Sequence, residues 1–344
     1  MSAEPASPAP VVVLDPAPQR TERIFTPEAL AALRERFDVV ELSGSEDPGA
    51  LDAVLPRAFA VVGQPDLPRE RLERAPLLRA VLNVEGNFFP NVDYEACFER
   101  GVHVLGCGPA YAQAVAEHAL GLLLDLARGI SREDRAFRAG RETYVAEGTA
   151  DALLLRGADI GLVGFGNLGR ALLPLLEPFR GCVRVFDPWL PDTVLRDAGL
   201  VPAPLEEVLA RSRFVVVLAT VTAESEHLLG ARELDLLPAG ARLVLVSRAA
   251  VCDFDALLER LRAGRLLAAV DVWPTEPVPA DSPFRSLENL VFSGHRAGGI
   301  PAAFQQIGEM VLDDLTQVAR GLPPVRMQVA ARELVGRYRN RPVT

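Results

Sequence analysis

Residues 158–170 read Ala158-Asp-Ile-Gly-Leu-Val-Gly164-Phe-Gly166-Asn-Leu-Gly169-Arg170, or ADIGLVGFGNLGR. The apolar run through Val163 predicts a buried strand, and the stretch after the glycines predicts the opening of a helix. The glycine spacing Gly164-x-Gly166-x-x-Gly169 is a weak signal alone. Between a strand and a helix it is stronger, because glycines there allow a tight turn and let the backbone approach a pyrophosphate. The helix N-terminus then offers N–H groups to the phosphates. Asn167 and Leu168 complete the turn. The next apolar run, CVRVFD, ends in Asp187, where an acidic side chain can accept from ribose hydroxyls. A carboxylate there repels a 2′-phosphate, so NAD is expected rather than NADP.

Outward from this turn, apolar runs alternate with helical patterns in both directions. C-terminal to it, strands are expected near 159–163, 183–187, 214–218, 243–246, 267–272 and 290–293. N-terminal to it, VVVLD (11–15), FDVVEL (37–42), AFAVVG (58–63), LLRAVLNV (77–84) and GVHVLG (101–106) read as strands. Helices are expected over Pro27–Arg36, Asn91–Arg100, Tyr111–Arg128 and Ala302–Arg320. Strands separated by helices imply right-handed βαβ units and parallel sheets. The fold class is therefore α/β: two Rossmann-like or flavodoxin-like βαβ domains, the second series inserted in the first if the last helix folds back. The expected division is residues 1–108 with 300–344 as a discontinuous substrate domain, and 109–299 as the cofactor domain. Pro174 is expected to kink its helix or end its first segment. The stretch 131–151 and the tail 332–341 have no confident reading.

The chain has 344 residues and a formal net charge of -10. That charge argues against affinity for nucleic acid or a membrane surface, both of which are anionic. All 36 basic side chains are arginine. Chemistry that needs a lysine, such as Schiff-base formation, is excluded. The four cysteines show no CxxC spacing, no metal is expected, and the N-terminal MSAEPASPAP reads as a disordered lead-in without an apolar core. These features predict a cytoplasmic protein with reduced thiols.

Three segments then follow strands of the second series: VSRAAVCD, AAVDVWPTEP and VFSGHRAGG. They carry Arg248, Asp271 with Glu276, and His295 to the carboxyl edge of that sheet, where open α/β sheets bind ligands. With VAEHALGLLLDLAR (115–128), LRGADIGLVGFGNLGR (155–170), TVTAESEHLLG (220–230) and FDALLERLRAGRL (254–266), they make the chain resemble the D-isomer-specific 2-hydroxyacid dehydrogenases over roughly residues 50–322.

The resemblance implies His295 as general acid/base, Glu276 as its partner and Arg248 as the group that binds the carboxylate and 2-oxo group of a small 2-oxo or 2-hydroxy acid. It implies Asp271 at the nicotinamide. Ala219, Thr220, Val246 and Ser247, at strand ends, join the candidate cofactor residues. It implies a homodimer as well, built through the second domain and the Tyr111–Arg128 helix. The substrate-binding turn corresponds to NVEGNFFPNVDYEAC (83–97), with Glu85, Gly86 and Asn87 as candidates. A glutamate there departs from the pattern, because it repels an anion unless it points away or meets a cationic substrate. Ala249 and Gly294 stand where the family commonly has glycine and proline. Three alternatives stay open: formate oxidation, against which Glu276 argues because those enzymes place glutamine there; phosphite oxidation; and a non-catalytic NAD(H)-sensing protein. His118 is expected to be a packed or rim residue without a role.

Overall fold

The computed structural model describes residues 9–42 and 49–339. The disordered lead-in expected at the N-terminus thus lies mostly outside the described residues, as does the end of the C-terminal tail. The chain forms two compact units: Met1–Tyr111 with Ile300–Thr344, and Ala112–Gly299.

The first unit contains β1 (Val11–Asp15), β2 (Asp38–Glu41), β3 (Ala58–Gly63), β4 (Ala80–Asn83) and β5 (His103–Gly106), with β13 (Gln328–Val329) from the C-terminal segment. Its sheet order is β13-β5-β4-β3-β1-β2. Every pairing is parallel except β13 with β5. The order β2-β1-β3-β4-β5 is a doubly wound arrangement of the flavodoxin kind. The helix Pro301–Ala319 folds back onto the helices Thr21–Ile24 and Pro27–Arg36, and a short helix, Arg332–Val335, follows it in the chain. Gly308 makes that contact possible: a Cβ there would lie 2.4 Å from the Ile24 carbonyl oxygen. Further on, the fully buried Asp314 accepts from the backbone N–H groups of Val325, Arg326 and Met327 at 2.7–2.9 Å. This carboxylate turns the chain into β13, an edge strand too short to stand out in the sequence.

The second unit contains β6 (Asp159–Val163), β7 (Cys182–Phe186), β8 (Val201–Pro202), β9 (Phe214–Val217), β10 (Ala241–Leu245), β11 (Leu266–Val270) and β12 (Leu290–Phe292). Its order is β12-β11-β10-β9-β6-β7-β8, all parallel. All residues of β9 and β10 are buried, as a sheet covered on both faces requires. Each fully buried valine or leucine contributes roughly 1.5–3 kcal/mol, so these strands dominate the stability of the unit. The chain order reverses between β6 and β9, so the connections that leave their carboxyl ends run to opposite sides of this switch point.

Two stretches gain detail beyond the sequence. The helix Asn167–Leu176 continues past Pro174 and ends two residues later in the 3-10 turn Glu177–Phe179. The stretch after residue 130 holds a helix, Ile130–Arg138, and a single turn, Val145–Gly148. The excursion is closed at its base. Leu153 N–H donates to the Ala127 carbonyl at 2.7 Å, and the buried Arg242 guanidinium donates to the carbonyls of Leu126, Asp151 and Gly240.

Among the described residues no helix is long and apolar enough to cross a membrane. All four cysteines are free, and burial pushes the thiols of Cys97 and Cys252 up to about 12 and that of Cys107 higher still. Native protein should therefore react with a thiol-directed disulfide reagent at Cys182 alone, the one that is not buried, whereas the unfolded chain should release four equivalents. Fast titration of a second thiol in the folded state would contradict the packing described.

Candidate active site

The glycine turn is held by geometry that only glycine permits at its first position. Gly164 has φ +95, and a Cβ there would lie 2.9 Å from the Ala219 backbone nitrogen. Its N–H donates to the Phe186 carbonyl at 2.8 Å. No side chain caps the helix that opens at Asn167, so the turn suits an anion at that end. The Asp187 carboxylate accepts from the Phe165 N–H at 2.7 Å, and from the N–H groups of Trp189 and Leu190 at 2.9 and 3.2 Å. It thus braces the glycine turn from the end of β7. An ionised carboxylate offers about four acceptor positions, so three backbone contacts leave capacity for a ligand hydroxyl.

Beyond β9 and β10, the Thr220 and Ser247 hydroxyl oxygens are buried and have no partner among the described residues. Two orphaned hydroxyls next to a glycine turn fit a polar ligand laid along this edge, because buried polar atoms are rarely left unsatisfied. Val246 lies between β10 and Ser247 and is buried. Arg248 follows in extended conformation, half-buried, as the residue before the 3-10 turn Ala249–Val251. It donates to the Ser247 carbonyl at 2.7 Å.

The turn after β12 carries His295. Its Nδ1 lies 2.7 Å from Glu276 Oε2, with the two side chains 27% and 30% exposed. A pair that open contributes at most about 1 kcal/mol to stability, so its consequence is orientation. Glu276 is itself held, because its Oε1 accepts the Trp273 N–H at 2.8 Å. A carboxylate only accepts, so Nδ1 carries the proton and neutral His295 presents a bare Nε2.

His295 has φ +50, a left-handed conformation that costs a non-glycine residue roughly 1–2 kcal/mol. Asp271 offsets that cost. Its carbonyl accepts the His295 N–H at 2.7 Å, and its carboxylate accepts the N–H groups of Arg296 and Ala297 at 3.0 and 3.1 Å and the Ser293 hydroxyl. Asp271 is 1% exposed. Expected at the nicotinamide, this carboxylate is committed to the turn that bears His295. Ser293 is missing from the sequence reading, and His118 has no role in it. Ser293 touches both Asp271 and His118, and the His118 Nε2 lies 3.1 Å from the Ser293 oxygen. Trp273 Nε1–H donates to the Ser293 carbonyl at 2.8 Å. No local motif marks these contacts; only a serine two positions before the histidine hints at one. In the first unit, Glu85 is buried and its N–H donates to Gln64 Oε1 at 3.3 Å. Phe88 and Phe89 are also buried, and the Phe88 ring packs against Tyr94 and Tyr338.

Three comparisons bear on this arrangement. A family model described as the NAD binding domain of D-isomer specific 2-hydroxyacid dehydrogenases matches residues 120–297. A glyoxylate reductase of Pyrococcus furiosus is 31% identical over 264 residues, spanning 74% of this chain and 77% of that protein. Among solved structures, a phosphoglycerate oxidoreductase from Rhizobium etli is 46% identical with a TM-score of 0.86, covering 94% of this chain and 99% of that one. A formate dehydrogenase from Staphylococcus aureus, solved in complex with NAD, is 27% identical with a TM-score of 0.65, covering 93% and 99%.

The bracing role of Asp187 makes a double prediction. Asp187→Ala should weaken the preference for NAD over NADP in direct binding and lower stability by about 1.5–3 kcal/mol, since backbone donors to a charged acceptor are lost. Unchanged selectivity would remove Asp187 from the ribose site, and an unchanged unfolding midpoint would remove it as a brace.

Proposed function

This chain belongs to the D-isomer specific 2-hydroxyacid dehydrogenases, NAD-dependent oxidoreductases that act on a CH–OH group, and within that family we propose that it interconverts a small 2-oxo acid and its D-2-hydroxy acid. The observation that carries this reading is the 2.7 Å pair of His295 and Glu276 at the carboxyl edge of the second sheet.

When bound in this site, NAD would supply the hydride acceptor for oxidation and NADH the hydride donor for reduction. The protein supplies everything else. Neutral His295, with Nδ1–H turned to Glu276, takes the hydroxyl proton at Nε2 as the C2–H bond yields its electron pair. The imidazolium so formed is stabilised by the adjacent carboxylate. In reduction the same Nε2–H delivers the proton to the 2-oxo oxygen. Arg248 binds the substrate carboxylate and polarises the 2-oxo group, a task its planar fork suits better than an ammonium. The glycine turn through Gly169 would hold the pyrophosphate and Asp187 the ribose. The hydroxyls of Thr220 and Ser247, with Ala219 and Val246 beside them, would meet the rest of the dinucleotide. Glu85, Gly86 and Asn87 belong to the proposed substrate-binding turn of the first unit, which we take as the substrate domain; the second unit is the NAD-binding domain. Glutamate at 276 favours a hydroxy acid over formate.

The relatives' names narrow the first assays to glyoxylate and phosphoglycerate. The test follows NADH loss with glyoxylate, pyruvate, hydroxypyruvate, and branched and aromatic 2-oxo acids, and NAD reduction with D-3-phosphoglycerate. Turnover of any of these supports the reaction class. NADH binding without turnover of any acid would overturn it in favour of phosphite chemistry or a sensor. With an active substrate, His295→Ala should lower kcat at least ~100-fold; an unchanged kcat would refute the acid–base assignment.

We also propose that the protein is a cytoplasmic homodimer. The exposed apolar side chains of Ile130, Phe137, Tyr144, Val145 and Leu154 support the dimer. The first four share one excursion of the second unit and Leu154 stands just past its closure, and exposed apolar groups in such number mark association surfaces. Light scattering should give twice the 37.1 kDa of the chain, and the double variant Phe137→Asp, Val145→Asp should run as a monomer. A monomeric parent would refute the dimer.

A further inference from the structure

The turn that carries His295 is tied to a residue 175 positions away in sequence. His118, in the middle of the helix Gly108–Arg128, places Nε2 3.1 Å from the Ser293 hydroxyl oxygen and 3.7 Å from Asp271 Oδ1. The hydrogen bonds of this trio run in one direction. The Asp271 carboxylate is almost fully buried, accepts two backbone N–H groups, and can only accept. The Ser293 hydroxyl must therefore donate to it. With its single proton spent, that hydroxyl presents a lone pair to His118, whose Nε2 must carry a hydrogen. The order is His118 Nε2–H to Ser293 Oγ–H to Asp271 Oδ1.

Ser293 is the junction of two branches that both end at His295. Through its hydroxyl it reaches Asp271, which holds the backbone N–H groups of residues 295, 296 and 297. Through its carbonyl it accepts from Trp273 Nε1, and the Trp273 N–H fixes Glu276 Oε1 while Glu276 Oε2 takes His295 Nδ1. One branch sets the backbone of His295 in its left-handed conformation. The other sets its ring. Without a donor at position 118, the Ser293 hydroxyl keeps only its bond to Asp271, and the strained turn loses its tie to the helix Gly108–Arg128.

We propose that His118 is a positioning residue: it aligns the acid–base imidazole of His295 through Ser293 and Asp271, acting as a fixed hydrogen-bond donor and not as a proton carrier. This inference rests on the reading of His295 as the acid–base group.

The test compares His118→Phe, which keeps bulk but loses the donor, with His118→Gln, whose amide offers an N–H near the position of Nε2, and with Ser293→Ala. With glyoxylate and NADH, the Phe and Ala variants should lose about 10- to 100-fold in kcat, as second-layer partners of catalytic groups do. Their KM and their NADH affinity by fluorescence should stay within about twofold of the parent, and the acid and base limbs of the kcat/KM pH profile should shift. His118→Gln should recover most of kcat and the parental profile. Equal loss in the Gln and Phe variants, or parental kcat in His118→Phe beside an inactive His295→Ala, would overturn the inference and leave the acid–base reading intact. Full activity of His295→Ala would instead refute that reading. A readout independent of turnover comes from ¹⁵N spectra of the four histidines. His118 should appear as the Nε2–H tautomer, and Ser293→Ala should displace the ring resonances of His295. An unmoved His295 signal in a folded Ser293→Ala variant would also overturn the proposal.

Discussion

A parallel sheet covered on both faces gives polar chemistry one place to stand, its carboxyl edge. In the second unit β9, β10 and β11 end in unbroken apolar runs, VVV, LVL and LLAAV. The polar groups begin one to three residues later: Thr220 after β9, Ser247 and Arg248 after β10, Asp271 after β11 and Ser293 after β12. A charged side chain one position earlier would sit in apolar packing, where desolvation of the charge costs far more than any local contact returns. The position of the candidate site is therefore set by the burial of the strands, and its residues are the polar ones that stand just past each strand end.

This is why so much was legible in the sequence. The glycine turn announces itself because Gly164 must adopt a positive φ against Ala219, and Asp187 because it ends the next strand. Arg248, Glu276 and His295 stand out as polar residues placed just beyond apolar runs. The features that escaped notice depend on distance in sequence or on competition between local forces. His118 meets Ser293 only once helix and strand are packed, and nothing near His118 records the encounter. Asp271 stands out in the sequence as a polar residue just past an apolar run, but its commitment to the turn does not, since backbone donors three to five residues past another strand do not show in a pattern of side chains. Pro174 does not stop its helix at once, because the missing N–H costs one hydrogen bond while Leu172 and Leu176 remain buried on the packed face.

The cluster around His295 also shows how a strained residue is kept. Its left-handed backbone has no glycine to relieve it, and Gly294 before it adds freedom where a proline would remove it. The neighbouring N–H groups and the imidazole are instead tied to two carboxylates, Asp271 buried and Glu276 half open. The buried one holds backbone and the open one holds the ring. Dividing the labour this way lets the ring lie at the edge, where a substrate can reach it, while the turn stays anchored inside.

The closed base of the excursion after the helix Gly108–Arg128 has an evolutionary consequence. Arg242, a side chain of the sheet itself, clamps both ends of the excursion through the Leu126 and Asp151 carbonyls, and Leu153 returns to Ala127. Between the clamps the chain is topologically a handle. Lengthening a handle whose ends stay fixed costs little, about 0.6 kcal/mol per doubling of its length. Its interior is thus free to drift, shorten or acquire new surface without disturbing the strands, and a lineage can revise this part of the surface while the residues at the sheet edge stay as they are.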